Sequence, residues 1–596
     1  MYSLPKSPTL PSVEARLSLS KRNDSSMMEA QSADGLTDIP DRRKKGRFII
    51  VFMSILMCLF LFALDQLIVT TATPNVISAF DSLKQVSWLF NGFYLTMAGS
   101  TLMFGQMLAV FPSKVILLSA VFVLEIGSLV CGIAPNMAVL IVGRAITGLG
   151  GAGIYSAAYQ ITVEITTLAE RPMYLALFGA CFGLASVMGP MVGGVLTDHV
   201  SWRWCFYINL PIGVVASGLI FVLLERSSAL GGRDDSRSVW RKIVQLDWVG
   251  TSICVGHTAS ISLAFQYGGI EYVWTNPRVI VLLAFIPLTC VLLCVWTIYI
   301  RPDRAMFDIQ FLKRRAIMGA SLIAFFGWAT FMTVVCFLVI IYQTVYGDSA
   351  TRSGVDLLSM VGVLITLLLI VGRIVAKTGH YKYIVCAGPI PVMIGCGLLY
   401  WAMDSGVSLR IIIGYQVLIG AGTAAYIQNT IIAGQVEFRD EPGLISRAVG
   451  LITFFGFIGR IIGVSVSTSI FINLIPNKVE EFAPELPASL IPIVREGFAG
   501  IRTVIPKEYQ AGIIIAYRKS IAPVFFFAGA ASVLCFCSTW LLKNSSLNAP
   551  AQEVIDSNHD DTHLELNHVS YRISSLYISN NNSENNAETS STKQKR

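Results

Sequence analysis

The chain has 596 residues, 54% of them hydrophobic and only 14% charged, with a formal net charge of +7. Soluble domains carry roughly 25% charged residues. A mean hydropathy of +0.64 leaves more apolar surface than a water-soluble fold could cover, so the bilayer is part of this protein's solvent and no nucleic-acid partner is expected.

Residues 1–47 are polar and rich in Ser, Pro and charge, which predicts a disordered tail. The first apolar run starts at Phe48, so the chain does not open on a signal peptide. From there apolar stretches recur at lengths near the ~20 residues that a spanning helix needs. They cover 48–70, 88–110, 114–134, 137–160, 174–197, 204–224, 248–267, 279–300, 317–343, 354–376, 383–403, 409–433, 448–475 and 518–542. A transmembrane barrel would show short alternating segments instead of continuous runs. The expectation is an all-α polytopic membrane protein with 14 transmembrane helices. Residues 543–596, rich in Ser and Asn, predict a second disordered tail.

Basic residues set the orientation. Arg42, Arg43, Lys44, Lys45 and Arg47 precede the first span; Arg226, Arg233, Arg237, Arg241 and Lys242 follow the sixth; Arg301, Arg304, Lys313, Arg314 and Arg315 follow the eighth. Loops on the other side hold single charges, so both termini are expected to be cytoplasmic and the 476–517 loop external or lumenal.

No CxxC pairing and no HExxH, GxSxG or GxxxxGK[ST] string occurs, which leaves no sign of a metal, a cofactor, ATP drive or an enzymatic nucleophile. The ionisable residues inside the spans are the sharper signal. Each costs about 2.5–3.5 kcal/mol to insert, so such groups are seldom idle. Asp65, Glu125, Arg144 and Arg460 are the clearest cases. Asp65 and Arg144 both fall about 7–11 Å below the outer ends of their helices, counted at 1.5 Å per residue. Equal depth permits pairing, either as a static bridge or as a proton-coupling pair that loads a proton when the partners separate. Glu125 is the second proton candidate. The string Gly148-x-Gly150-x-x-Gly153 matches a dinucleotide fingerprint only as letters; inside a spanning helix, small residues serve close helix packing.

The run from Trp202 to Gly213, WRWCFYINLPIG, resembles the signature of the 14-spanning drug:proton antiporters of the major facilitator superfamily, in its fungal form. Gly143-Arg144-x-x-x-Gly148-x-Gly150, Leu64-Asp65 followed by Pro74, and Tyr342-Gln343 with Ser353-Gly354 are similar to further motifs of that family. Gly189-Pro190-x-x-Gly193-Gly194 resembles its antiporter motif, with Ala185 where a glycine is usual. Gly105 to Lys114 and Gly372 to Lys382, the second including Gly379, resemble its hinge loop. The first copy departs from the pattern at Ala109, Pro112 and Ser113, which puts the family's charge lock in doubt.

The resemblance implies a major facilitator fold: an N-terminal six-helix bundle over 48–224, a cytoplasmic loop over 225–247, an inserted helix pair over 248–300 and a C-terminal six-helix bundle over 301–542. It implies a monomeric, proton-coupled antiporter that moves small organic solutes or drugs out of the cytosol, in the plasma membrane or the vacuolar membrane. A vacuolar basic amino acid transporter is the alternative, and a non-transporting solute sensor a third reading. Gln343, Gln428, Asn429 and Arg460 are candidates for the substrate cavity, and Gly105, Lys114, Gly189, Pro190, Gly193, Gly194, Gly372 and Gly379 for gating.

Overall fold

The computed structural model describes residues 42–80, 86–225, 238–268, 272–300, 304–306, 309–487, 490, 494 and 505–547. Most of both predicted tails therefore lies outside the described residues. Contacts divide the chain into two compact units, Met1–Met53 and Ser54–Arg596. The described part of the first consists of the opening turns of helix 1; the second holds the rest of that helix and all the others.

Helices 1 to 5 run Arg42–Phe80, Val86–Val110, Ser113–Ile133, Met137–Ile165 and Arg171–His199, and helix 6 comprises Trp204–Tyr207 and Asn209–Leu223. Helices 7 and 8 are Trp248–Tyr267 and Pro277–Tyr299. Helix 9 runs Arg315–Ile341 and ends in a π-helical turn, Tyr342–Tyr346; helix 10 is Ala350–Thr378. Helix 11 comprises Lys382–Ala387 and Pro389–Ser405, and helix 12 Leu409–Tyr426 and Asn429–Glu437. Helices 13 and 14 are Pro442–Phe482 and Lys507–Thr539.

The element ends follow local chemistry. Asn136 caps helix 4 by accepting from the Val139 N–H at 3.0 Å, and Ser349 caps helix 10 by accepting from Arg352 at 3.2 Å. Gly379 and Gly406 close helices 10 and 11 in the left-handed conformation, φ 72° and 74°, where a side chain is disfavoured. Several helices outrun the predicted spans. Residues 42–47, expected within the tail, are helical, and helices 13 and 14 reach Phe482 and back to Lys507. Hydropathy marks only the lipid-buried part of a helix; beyond it backbone hydrogen bonding continues in water.

Thirteen described helices are long and apolar enough to cross a membrane. Helix 7, the fourteenth expected span, has 20 residues, but Ser252, His257, Ser260 and Gln266 lower its hydropathy. Large apolar side chains such as Phe122, Met191 and Val222 are at least two-thirds exposed, which suits a surface solvated by lipid.

Helix 4 packs on helices 2 and 3, helix 6 on helix 3, and helix 14 on helices 9, 11 and 13. Helix 2 lies against helix 13 and helix 5 against helix 10, which joins the early helices to the late ones. Helix 7 packs on helix 8, on helix 2 and on helix 13. Glycine sets the close approaches: a Cβ on Gly150 would lie 2.5 Å from the Leu124 nitrogen, and one on Gly143 2.6 Å from the Cys131 Sγ. Only a bare Cα lets helices 3 and 4 come this near.

Candidate functional site

Two polar clusters stand out against the apolar interior. The first surrounds Asp65, 0% exposed, and Arg144, 1% exposed. The glycines of helix 4 bring Arg144 against helices 1 and 2. One guanidinium nitrogen donates to Asp65 Oδ2 at 2.6 Å, and Nε donates to the Leu89 carbonyl at 3.3 Å. The guanidinium also lies 4.5 Å from the centroid of the Phe93 ring. The other carboxylate oxygen accepts from Asn209 Nδ2 at 2.9 Å, and the same amide donates to Ser128 Oγ at 3.1 Å. Asn209 follows the break at Ile208 and opens the second segment of helix 6.

Glu125 lies one turn before Ser128 on helix 3. Both its carboxyl oxygens are buried without a hydrogen-bond partner. A Cβ on Gly213 would strike the Glu125 carboxyl, so helix 6 uses glycine there to leave the acid room. Around Asp65 there are thus a fully bonded ion pair and, nearby, an acid that has no donor of its own.

The second cluster is a cavity lined by residues of helices 4, 9, 12 and 13, among them Tyr155, Trp328, Thr430, Thr453, Phe457 and Arg460. Arg460 holds its guanidinium carbon 3.4 Å from the Trp328 ring centroid and 4.9 Å from that of Phe457. Tyr155 and Tyr159 hydroxyls lie 3.1 Å apart, and the Tyr159 hydroxyl donates to Gln428 Oε1 at 2.8 Å. Gln428 stands at the break that divides helix 12. Discontinuous helices free backbone and side-chain groups at the depth where a solute is held.

The clusters are joined by aromatic rings. Phe93, under Arg144, stacks with Phe62 at 6.2 Å; Phe62 meets Tyr155 at 6.2 Å; Tyr155 meets Phe457, under Arg460, at 5.9 Å. Arg144, Tyr155 and Tyr159 are spaced 11 and 4 residues apart on helix 4, so one face of that helix serves both clusters.

The remaining predicted residues have distinct places. A Cβ on Gly105 would meet the Ser446 carbonyl at 3.0 Å, and one on Gly372 the Pro172 carbonyl at 2.7 Å. Each glycine permits close contact between an early helix and a late one. Lys114 donates to the Phe221 and Leu224 carbonyls at 2.8 and 2.6 Å, capping helix 6 within the early helices. Ser113, where the hinge pattern would carry a base, donates to Glu164 at 2.6 Å. Gly189 and Gly193 face Leu67 and Ile68 of helix 1, just beyond Asp65, while a Cβ on Gly194 would meet nothing within 4 Å. Helix 5 continues through Pro190. Asn429 folds back onto the Ala425 carbonyl at 2.8 Å, and Gln343 lies in the π-helical turn, outside the set of cavity-lining residues.

Asn209, Ser128, Tyr155, Tyr159, Thr453 and Phe457 escaped the sequence reading as site residues. The signal for Asn209 was a single amide in an apolar run just before Pro211; for Tyr155 and Tyr159 it was two hydroxyls in register with Arg144.

Residues 55–464 match the profile of the Major Facilitator Superfamily. The chain is 33% identical over 487 residues to the MFS-type efflux pump MFS1 of Trichophyton rubrum, covering 81% of this chain and 89% of that one. It is 32% identical to the efflux pump aflT of Aspergillus parasiticus, over 82% and 93% of the two chains. With the rubrofusarin-specific efflux pump aurT of Gibberella zeae it shares 31% identity over 85% and 90%. Among solved structures, the human organic anion transporter MFSD10 superposes with a TM-score of 0.53 at 15% identity, covering 81% of this chain and 99% of that one. A continuous helical bundle, an ion pair buried among its first helices and these full-length relatives lead to one conclusion: the chain belongs to the major facilitator superfamily and is a membrane transporter, not an enzyme.

Proposed function

We propose that this transporter is a proton-driven antiporter that extrudes small organic solutes from the cytosol, with its basic end and both termini on the cytoplasmic side of the plasma or vacuolar membrane. It works as a monomer, each chain enclosing its own cavity. The observation that carries the reading is the dry Asp65–Arg144 pair, bonded at 2.6 Å and linked through Phe93, Phe62 and Tyr155 to the Arg460 cavity. A carboxylate whose counter-ion sits on another helix changes its proton affinity when the helices part. Helices 1 and 4 are thus where proton loading and rearrangement meet, and Glu125, whose carboxyl is otherwise unpartnered, is the neighbouring exchange site. Gly189 and Gly193, packed against helix 1, let helix 5 follow its movement.

The test is transport in proteoliposomes with a pH-sensitive dye inside, under an imposed pH gradient, with an aromatic carboxylate, a cationic dye and labelled arginine as solutes. At least one solute is expected to move against its gradient with counter-flow of protons, and Asp65→Asn is expected to abolish that coupling. Solute flux that leaves internal pH untouched, or no flux of any solute, overturns the reading.

A further inference from the structure

The cavity around Arg460 has a one-sided chemistry. Its described lining contains one full positive charge, three aromatic rings and two threonines, and no Asp, Glu or His. Arg460 forms no ion pair among the described residues; its guanidinium rests on Trp328 and Phe457, and its Nε is buried with no acceptor. Thr453, 8% exposed, also has its hydroxyl buried with no partner. Seven residues separate Thr453 from Arg460, so both project from one face of helix 13 into the same space. Two orphaned donors lining one cavity, one of them charged, form a site that lacks its acceptor.

An arginine stacked on a tryptophan keeps its edge free, and that edge offers parallel N–H groups in the spacing of two oxygens on one carbon. The cavity encloses about 10 Å³ in this conformation, so a flat apolar body enters between the rings of Tyr155, Trp328 and Phe457 only as they part around it. We propose that the transported solutes are aromatic organic anions, fused-ring carboxylates, whose carboxylate oxygens bind Arg460 and Thr453 while the ring system lies among the aromatic side chains. The same composition turns away basic amino acids and cationic drugs, since a second positive charge would meet Arg460 with no acid to shield it. This inference rests on reading the cavity as the solute's passage, and its test is made without any gradient so that a failure of coupling does not bear on it.

Full-length protein in detergent is titrated with labelled 1-hydroxy-2-naphthoate, with its methyl ester and with rhodamine 6G. The carboxylate is expected to bind about tenfold or more tightly than the ester, a charge-assisted bidentate contact being lost in the latter, and the cation is expected not to compete. Arg460→Gln is expected to remove the preference for the carboxylate, Arg460→Lys to retain part of it, and Thr453→Val to weaken carboxylate binding several-fold without changing ester binding. Thermal melting of each variant checks its fold; should Arg460→Gln not fold, the Lys and Val variants and the ester comparison decide. Equal affinity for acid and ester, tighter binding of the cation, an undiminished preference in the Arg460 variants, or no binding of any probe would each overturn the proposal.

Discussion

Two ions brought together in a dry helix bundle each lose several kcal/mol of hydration, and only their attraction and further hydrogen bonds offset it. At Asp65–Arg144 those bonds are present: both carboxylate oxygens and two guanidinium nitrogens are used. Removing one partner strands the other. Arg144→Gln is therefore expected to destabilise the protein by about 3–5 kcal/mol, read as a fall in melting temperature, and adding Asp65→Asn should restore most of that loss without restoring transport. Glu125 behaves differently because it has no bonds to lose. Glu125→Gln is expected to leave melting unchanged while slowing gradient-driven flux at least about tenfold, the scale of a lost proton-transfer step; Gly213→Ala, which pushes into the same carboxyl, should reproduce the defect in part. The sequence made the depth of Asp65 and Arg144 readable, since residue count fixes height along a helix. It could not show that their faces meet, because that depends on the glycines of helix 4 and on Asn209, whose position follows a break at Ile208 that hydropathy does not register.

At the level of elements, the contacts between helices 2 and 13 and between helices 5 and 10 are made where Gly105 and Gly372 admit a neighbouring backbone. Filling either gap forces the helices apart. Gly372→Val is expected to shift the population towards a form open at the basic end by about 1–3 kcal/mol, the usual cost of overpacking, seen as faster thiol labelling of a cysteine introduced at Ala176. The echo between the two hinge loops was visible as letters, and the structure gives both glycines the same task. Lys114 stands where the motif places a base, and with Ser113 beside it bonded to Glu164, its ammonium closes the end of helix 6. The break in helix 12 at Ile427 and Gln428 was likewise invisible, because the apolar run passes through it uninterrupted while the Tyr159–Gln428 bond can be seen only once the helices are assembled.

For the whole molecule, the spans were legible because lipid imposes one pattern on every crossing segment, whereas their ends were not. Helix 13 has 41 residues, about 60 Å at 1.5 Å per residue, roughly twice the hydrocarbon thickness; the excess lies in water, where no hydropathy rule marks a stop. The charge of the solute has a consequence at this scale. Exchange of one organic monoanion outward for one proton inward carries two positive charges into the cell, so a membrane potential should contribute about 4.6 kcal/mol per 100 mV. Clamping the potential with valinomycin and potassium is expected to change the rate of anion export steeply; a flat response would point to an electroneutral exchange.

Helix 7 is fastened to helix 2 at both ends. Gln266 bonds Asn91 near one end, and at the other the Asp247 N–H donates to Gln106 at 3.1 Å while its carboxylate receives Trp296 and the Met306 N–H. It also packs on helix 13. Helices 7 and 8 are thus lashed to helix 2 at two points along its length. If the early and late helices shift against one another in the proposed transport cycle, helices 7 and 8 are expected to travel with helix 2, to which these bonds tie them.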